Sequence, residues 1–447
     1  MSPAIVGERA FLPADLLLVM TPWRYHARDL FPEYQRVHAP LLDVIQQYYP
    51  WRKFYRDSIL RGELPLWNPY MFSGTPFVAN GQSAIFYPFN ALFLTMPVAR
   101  AFGWIVLLHL VIAGWGMYGF LVQWRLPAWC AFIGGVAFML CGFLMAWLNY
   151  ITLLCTGVWL PMALLAFERS IAKVTDDGIA LPRIPHVLLS ALPLAFSILA
   201  GHFQIAFYIW FAFAIYVLIR YGQAITAIRS ACELRAMKFK FITITVQFGK
   251  ATGATLLFAF ALAAPQLLPS VELSRMSTRA DAFDYTAILA NRLPPEQLIR
   301  LIVPNFFGNY PDGTHWNPFP KFNFIERTGY MSIIALLLAG AGCMVRHPLR
   351  PFGMLIAMLG LLLAMGSRLH IVLAYVVPGV RQLVGASRAL FLFNFGIALL
   401  AAIGAYNIVS TSQCGQERNA HHNRHHPRTS LVTWLIAHQS VVGCIIA

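Results

Sequence analysis

Carboxylates are the side chains best suited to general acid–base or metal-assisted chemistry, and in this sequence they are unevenly spread. Of the 18 Asp and Glu, Glu8, Asp15, Asp29, Glu33, Asp43, Asp57 and Glu63 fall within residues 1–99. Glu272, Asp281, Asp284, Glu296, Asp312 and Glu326 fall within residues 269–327. Only Glu168, Asp176, Asp177, Glu233 and Glu417 lie elsewhere, so carboxylate chemistry points to those two stretches.

Asp43 has the most suggestive surroundings. The run H-A-P-L-L-D-V-I-Q-Q-Y-Y-P over 38–50 reads as a short helix with Pro40 in its first turn, where a missing N–H is harmless. Asp43, Gln46 and Gln47 are three and four residues apart and share a face. The next segment, W-R-K-F-Y-R-D-S-I-L-R-G over 51–62, sets Trp51, Phe54, Tyr55 and Ile59 on one side and Arg52, Lys53, Arg56 and Arg61 around the rest. That pattern suits an amphipathic helix lying on a membrane, its cations free for an anionic head group or a lipid-linked phosphate. A helix packed on the bundle is the competing reading. Residues 62–92 are rich in Pro, Gly, Asn and aromatics and form an ordered loop, since solvating linkers lack such aromatics. Its Trp67, Asn68, Tyr70, Asn80, Gln82 and Tyr87 suit a sugar, bound by stacking and amide hydrogen bonds; a purely structural loop suits them too.

Further along, His202 and Gln204 sit in a short turn between two apolar segments, as polar groups at functional sites do, or as groups that satisfy a helix break at Gly201. Glu326 and Arg327 open another apolar segment, as part of a site or as an interfacial ion pair. Arg381 and Arg388 precede the last long one and can hold a phosphate, or simply snorkel. His109, inside an apolar segment, reads as a packed, hydrogen-bonded residue. The tract His421, His422, His425 and His426 is low-complexity and reads as incidental. The sequence holds no phosphate-binding loop, dinucleotide fingerprint or H-E-x-x-H.

The elements that must position these residues are membrane helices. Hydrophobic residues make up 58% of the 447 and charged ones only 11%, against about 25% charged in soluble domains. Lipid can solvate such a chain where water cannot. Segments 100–123, 128–147, 151–168, 186–200, 203–219, 250–268, 328–345, 350–367 and 388–408 are apolar enough to be spans. Residues 370–378 read as a re-entrant or interfacial piece, and 430–447 as a cut-short span. The expected fold is all-α, a polytopic transmembrane helical bundle of about nine or ten spans, with two long extracytoplasmic loops carrying short amphipathic helices.

The corresponding division is a first extracytoplasmic segment 1–99, helices over 100–268, a second extracytoplasmic loop 269–327 and helices over 328–408. A cytoplasmic His-rich loop over 409–429 and the apolar 430–447 complete it. Lys and Arg set the direction: with Arg125 inside, the loops around 169–183, 220–250, 346–350 and 418–428 are all basic and cytoplasmic. That orientation accounts for the net charge of +15 without a nucleic-acid partner. Residues 1–99 then lie outside, and L-L-L-V-M at 16–20 is too short to carry them there, so a further helix is expected ahead of Met1. The seven cysteines form no C-x-x-C pair and read as buried, inert thiols.

Several stretches resemble the bacterial YfhO-type membrane protein family. The most specific is G-E-L-P-L-W-N-P-Y-M-F-S-G-T-P-F-V-A-N-G-Q-S-A-I-F-Y-P-F-N at 62–90. D-V-I-Q-Q-Y-Y-P-W-R (43–52), G-H-F-Q-I-A-F-Y (201–208), Q-L-L-P-S-V-E-L (266–273), L-I-V-P-N-F-F-G (301–308), E-R-T-G-Y (326–330) and P-G-V-R-Q-L-V-G-A-S-R (378–388) are similar too. That family resembles the GT-C class of integral-membrane glycosyltransferases. The resemblance implies a sugar moved from a polyprenyl-phosphate donor to a cell-envelope glycan or lipid acceptor, on the outer face of the bacterial cytoplasmic membrane. It further implies a carboxylate in the first outer loop as general base or ligand of a divalent metal, Mg or Mn. By position that residue is Asp43, with Asp15 second. Substrate contacts are expected from Gln46, Gln47, Trp67, Asn68, Asn80, Gln82, His202, Gln204, Glu326, Arg381 and Arg388. The rival functions are a transporter or flippase of a lipid-linked precursor, and a non-catalytic membrane scaffold.

Overall fold

The computed structural model describes residues 10–26, 29, 42–171, 173–175, 178–180, 184–231, 234–277, 285–286, 291–308, 314, 316, 325–377, 380, 383 and 385–422. Residues up to Ala405 form one compact unit and Tyr406–Ala447 a second.

The two helices expected over 38–50 and 51–62 are one continuous helical run from 42 to 60. Its first part, Val44–Tyr48, is a π-turn; the second, α1, is Tyr49–Leu60. Pro50 brings no N–H to the ladder, and a wider turn just before it absorbs the defect. The face of α1 that is buried carries Trp51, Arg52, Tyr55 and Ser58. Hence two arginines read as membrane-surface cations are internal ties. Arg52 donates to the Ser83 and Gln82 carbonyls, and Arg56 donates to those of Phe93, Leu94 and Met96 at 2.6, 3.0 and 2.7 Å. The other two cations are ion-paired, Lys53 to Asp57 at 2.8 Å and Arg61 to Glu63 at 3.3 Å. This helix packs on the bundle.

Strands β1 (Trp67–Asn68) and β2 (Thr75–Pro76) pair antiparallel and tie the following loop. Then come α2 (Val98–Gln123), α3 (Ala128–Met139), α4 (Gly142–Ala146), α5 (Ile151–Gly157) and α6 (Trp159–Ser170). Next are α7 (Ile184–Leu199), α8 (Phe203–Ala231) and α9 (Leu234–Arg275). Last are α10 (Ile333–Met344), α11 (Arg350–Ala364), α12 (Leu369–Val376) and α13 (Leu390–His422). Among the described residues, six helical stretches are long and apolar enough to cross a membrane: Val98–Gln123, Ala128–Ala146, Ile151–Ser170, Phe203–Ser230, Lys238–Arg275 and Ala386–Ile408. Three shorter apolar helices, Pro185–Leu199, Ile333–Met344 and Arg350–Ala364, stand where further spans were expected.

Two stretches expected as loops are helical. Residues 220–231 belong to α8 and 234–250 to α9, and the two helices pack on each other. Cations at 229, 235, 238, 240 and 250 do not break a helix, because Lys and Arg are good helix formers. At the far end α9 continues through Arg275, past the expected boundary at 268, and α13 continues through His422 into the expected His-rich loop.

Close backbone approach holds the bundle together. A Cβ on Gly342 would overlap the Leu400 carbonyl, and one on Gly404 the Leu338 carbonyl. One on Gly396 would stand 2.8 Å from the Gly353 carbonyl. The small residues of α10, α11 and α13 thus let helices meet without intervening side chains, the usual device where lipid removes the hydrophobic driving force. Buried polar groups inside are matched. His109 Nδ1 donates to the Ile105 carbonyl (2.7 Å), leaving Nε2 to accept from the Tyr87 hydroxyl (2.5 Å). Tyr87 in turn accepts from Trp159 Nε1 at 3.0 Å.

Gly201 joins α7 to α8 with φ +95, and a Cβ there would overlap the Gly81 carbonyl and stand 3.1 Å from Gln82 Cα. Gly201→Ala is therefore expected to cost about 1–3 kcal/mol through left-handed strain and displacement of the 81–82 backbone. Thermal unfolding of the purified variant in detergent checks it.

Candidate functional site

The continuous run 42–60 presents Asp43 at its exposed start and buries Tyr48 one turn later. The Tyr48 hydroxyl donates to Gln82 Oε1 at 3.2 Å and shares a 3.1 Å hydrogen bond with Thr152 Oγ1 at the head of α5. Its ring packs edge-on to Tyr150, centroids 6.1 Å apart, and Tyr150 lies edge-on to Trp147 at 5.1 Å.

From the other end of the chain comes Arg388, in the 3₁₀ turn Ala386–Ala389 that leads into α13. Its guanidinium lies 5.6 Å from the centre of the Trp147 ring. Nη2 donates to Glu326 Oε1 at 2.7 Å and Nη1 to Gln204 Oε1 at 3.0 Å. Gln204 completes the clamp by donating to the Gly385 carbonyl at 2.9 Å and to the Tyr208 hydroxyl at 3.2 Å. Among the described residues, Glu326 Oε2, Arg388 Nε, Trp147 Nε1 and Ser387 Oγ are buried with no hydrogen-bond partner. Four orphaned polar atoms around one ion pair mark a place where a polar ligand would satisfy what the protein does not.

Electrostatics tie the two halves together. Burial raises the Tyr150 hydroxyl pKa, and the charges of Asp43 and Glu326 raise it further while Arg388 opposes them. Tyr48 is likewise raised, by burial first, with Thr152 lowering it and Asp43 raising it. Both phenols therefore remain proton donors. Burial, together with the Arg388 cation, pushes the His202 imidazole down to about 3. His202 is neutral at physiological pH, and its Nδ1 accepts from the Ile205 N–H at 3.3 Å, capping α8.

No protein-family model matches the chain, and no curated protein or solved structure matches it.

The structure brings Asp43, Gln82, His202, Gln204, Glu326 and Arg388 to one neighbourhood. Asp15 lies in the 3₁₀ turn Ala14–Val19, which packs against the Val44–Tyr48 turn. Gln46 is exposed and Gln47 half-buried on that turn. Trp67 lies against Gly74, where a Cβ would stand 2.6 Å from its ring. Asn68 is buried and accepts from the Tyr70 N–H at 3.0 Å, and Asn80 accepts from the Gln82 N–H at 3.2 Å, so both hold turns. Arg381 lies outside the described residues, as do the side chains of His421 and His422 and all of His425 and His426. Tyr48, Trp147, Tyr150 and Tyr208 were missed. Tyr and Trp are common in apolar segments and at membrane interfaces, so nothing in their type or spacing singles them out.

Among the described residues no three His, Cys, Asp or Glu gather to hold a metal. Glu326 is committed to Arg388, whose positive charge repels a cation beside it. A divalent metal at Asp43 would therefore take its remaining ligands from substrate phosphate oxygens and water.

Proposed function

We propose that this chain is the body of a membrane glycosyltransferase that moves a sugar from a polyprenyl-phosphate donor to a cell-envelope acceptor. In this reading the chain is a polytopic protein of the bacterial cytoplasmic membrane with about nine or ten spans. Residues 1–99 lie outside, and lipid surrounds the helices. The acceptor hydroxyl attacks the sugar's anomeric carbon, and Asp43 takes its proton as general base. The bond from that carbon to the phosphate oxygen breaks, and the polyprenyl phosphate leaves with the electron pair. Arg388 steadies the departing phosphate through Nε, which has no hydrogen-bond partner among the described residues.

What supports the reading is one observation: Asp43 is exposed at the head of the turn whose Tyr48 packs edge-on to Tyr150, and Tyr150 in turn packs on Trp147 beside the buried Arg388–Glu326 pair. General base and phosphate partner are the parts this chemistry needs. The flippase alternative calls for ionisable groups available inside the spans. His109 is instead held by Tyr87 and Ile105, and Glu168 by Arg220 and Tyr216.

Asp43→Asn tests the reading. Removing a general base costs about 10²–10⁴-fold in rate. Cells carrying the variant at matched protein level should lose one sugar modification of the envelope. An unchanged glycan profile would remove Asp43 from the mechanism.

A further inference from the structure

A groove of about 740 Å³ runs between α1 and the loop that follows it. That size lies within the roughly 300–1,000 Å³ of small-molecule clefts. Gln46, Tyr49, Lys53, Asn68, Tyr70 and Phe72 are among the residues that line it. Gln46, in the groove's wall, stands one turn along the same helical run from Asp43, the carboxylate that the proposed transfer uses.

Three features define its chemistry. Aromatic rings form its walls: Tyr49 and Phe54 from the helix, Tyr70 and Phe72 from the loop. Charges are present but self-paired, Lys53 with Asp57 at 2.8 Å and Arg61 with Glu63 at 3.3 Å, leaving no free cation for a phosphate among the described lining residues. The loop is preorganised. Tyr70 N–H is held by Asn68, and Trp51 Nε1 donates to Met71 Sδ at 3.1 Å. Phe72 and Ser73 both take the left-handed backbone conformation, at φ 51 and 61, which is uncommon for such residues. The consequence is that Tyr70 and Phe72 stand 80% and 88% exposed at the lip, Tyr70 with its ring edge-on to Phe54 at 5.8 Å. Conformational strain that presents exposed rings is a signature of a ligand clamp.

We infer that this groove binds a neutral saccharide chain, the acceptor of the proposed transfer. Flat aromatic faces stack on the apolar faces of sugar rings, and the exposed amide of Gln46 and the paired charges answer their hydroxyls. The inference rests on the transferase reading for the ligand's role and on the groove alone for its class.

The test uses the purified full chain in lipid nanodiscs, with maltotetraose, mannotetraose and chitotetraose as probes, read by saturation-transfer NMR. At least one tetrasaccharide should bind. Tyr70→Ala and Phe72→Ala, both at exposed positions, should each weaken binding roughly tenfold while melting with the wild-type protein. The inference is overturned if none of the three probes binds, if both variants bind as wild type does, or if inorganic phosphate displaces the saccharide. Binding that depends on Tyr70 and Phe72, alongside an envelope unchanged by Asp43→Asn, would keep the groove and remove the transferase. Loss of transfer in Asp43→Asn with no saccharide binding would do the reverse.

Discussion

Arg388→Met should lower stability by about 3–5 kcal/mol, because it strands Glu326 as an unpaired buried carboxylate. The pair is well placed for such an effect: its side chains are 25% and 8% exposed and 2.7 Å apart. Arg388 also holds Gln204, whose amide fastens the Gly385 carbonyl, so three segments of the chain loosen together. Thermal and denaturant unfolding of the purified variant would measure the loss. Adding Glu326→Gln should restore most of it, since removing the second charge removes the desolvation penalty. If the proposed transferase reading holds, sugar transfer should not return in the double variant, because the proposed phosphate partner is still missing. Recovery of both together would assign Arg388 a structural role only; recovery of neither would mean that the 385–389 turn itself had collapsed.

Glu168→Ala is expected to have a comparable effect at the opposite end of the bundle. Arg220 grips this carboxylate with two hydrogen bonds of 2.9 Å, the Tyr216 hydroxyl adds a third at 2.8 Å, and Trp124 Nε1 donates to Tyr216 at 3.1 Å. The guanidinium also lies 4.5 Å from the centre of the Trp124 ring and reaches Gln223, which donates to the Pro348 carbonyl. Without the carboxylate, a half-buried cation and a buried hydroxyl lose their acceptor, at a cost of about 3–5 kcal/mol. Unfolding should show that loss. Because the network is distant in sequence and character from Asp43, the proposed transferase reading expects the folded fraction of the variant to transfer sugar at the wild-type rate. A variant that is stable but inactive would mean that this inner network takes part in function.

Much was legible in the sequence because the relevant signals are local. Apolar runs of span length announce membrane helices, and the helices stand where those runs are. Their ends were less legible. Hydropathy falls where α8 and α9 leave the apolar zone, yet helix propensity does not, so the pair continues through a stretch that reads as a basic loop. Periodicity likewise showed that 51–60 is an amphipathic helix without showing what lies above it. That the carbonyls of 82–83 and 93–96 sit over Arg52 and Arg56 is a fact of packing, and it turns two surface cations into internal ties.

By itself, then, the sequence determined the class of the protein, the positions of its apolar helices and the short stock of residues able to do chemistry, all of which follow from composition and short-range period. Only the tertiary structure decided which of those residues meet. Gln204, Glu326 and Arg388 form one clamp, and Tyr48, Trp147 and Tyr150 link it to Asp43. The physical reason is that a long-range contact depends on how closely backbones can approach, at glycines such as Gly201 and Gly404. Hydropathy and spacing report what each segment prefers as a solvent and do not report its neighbour.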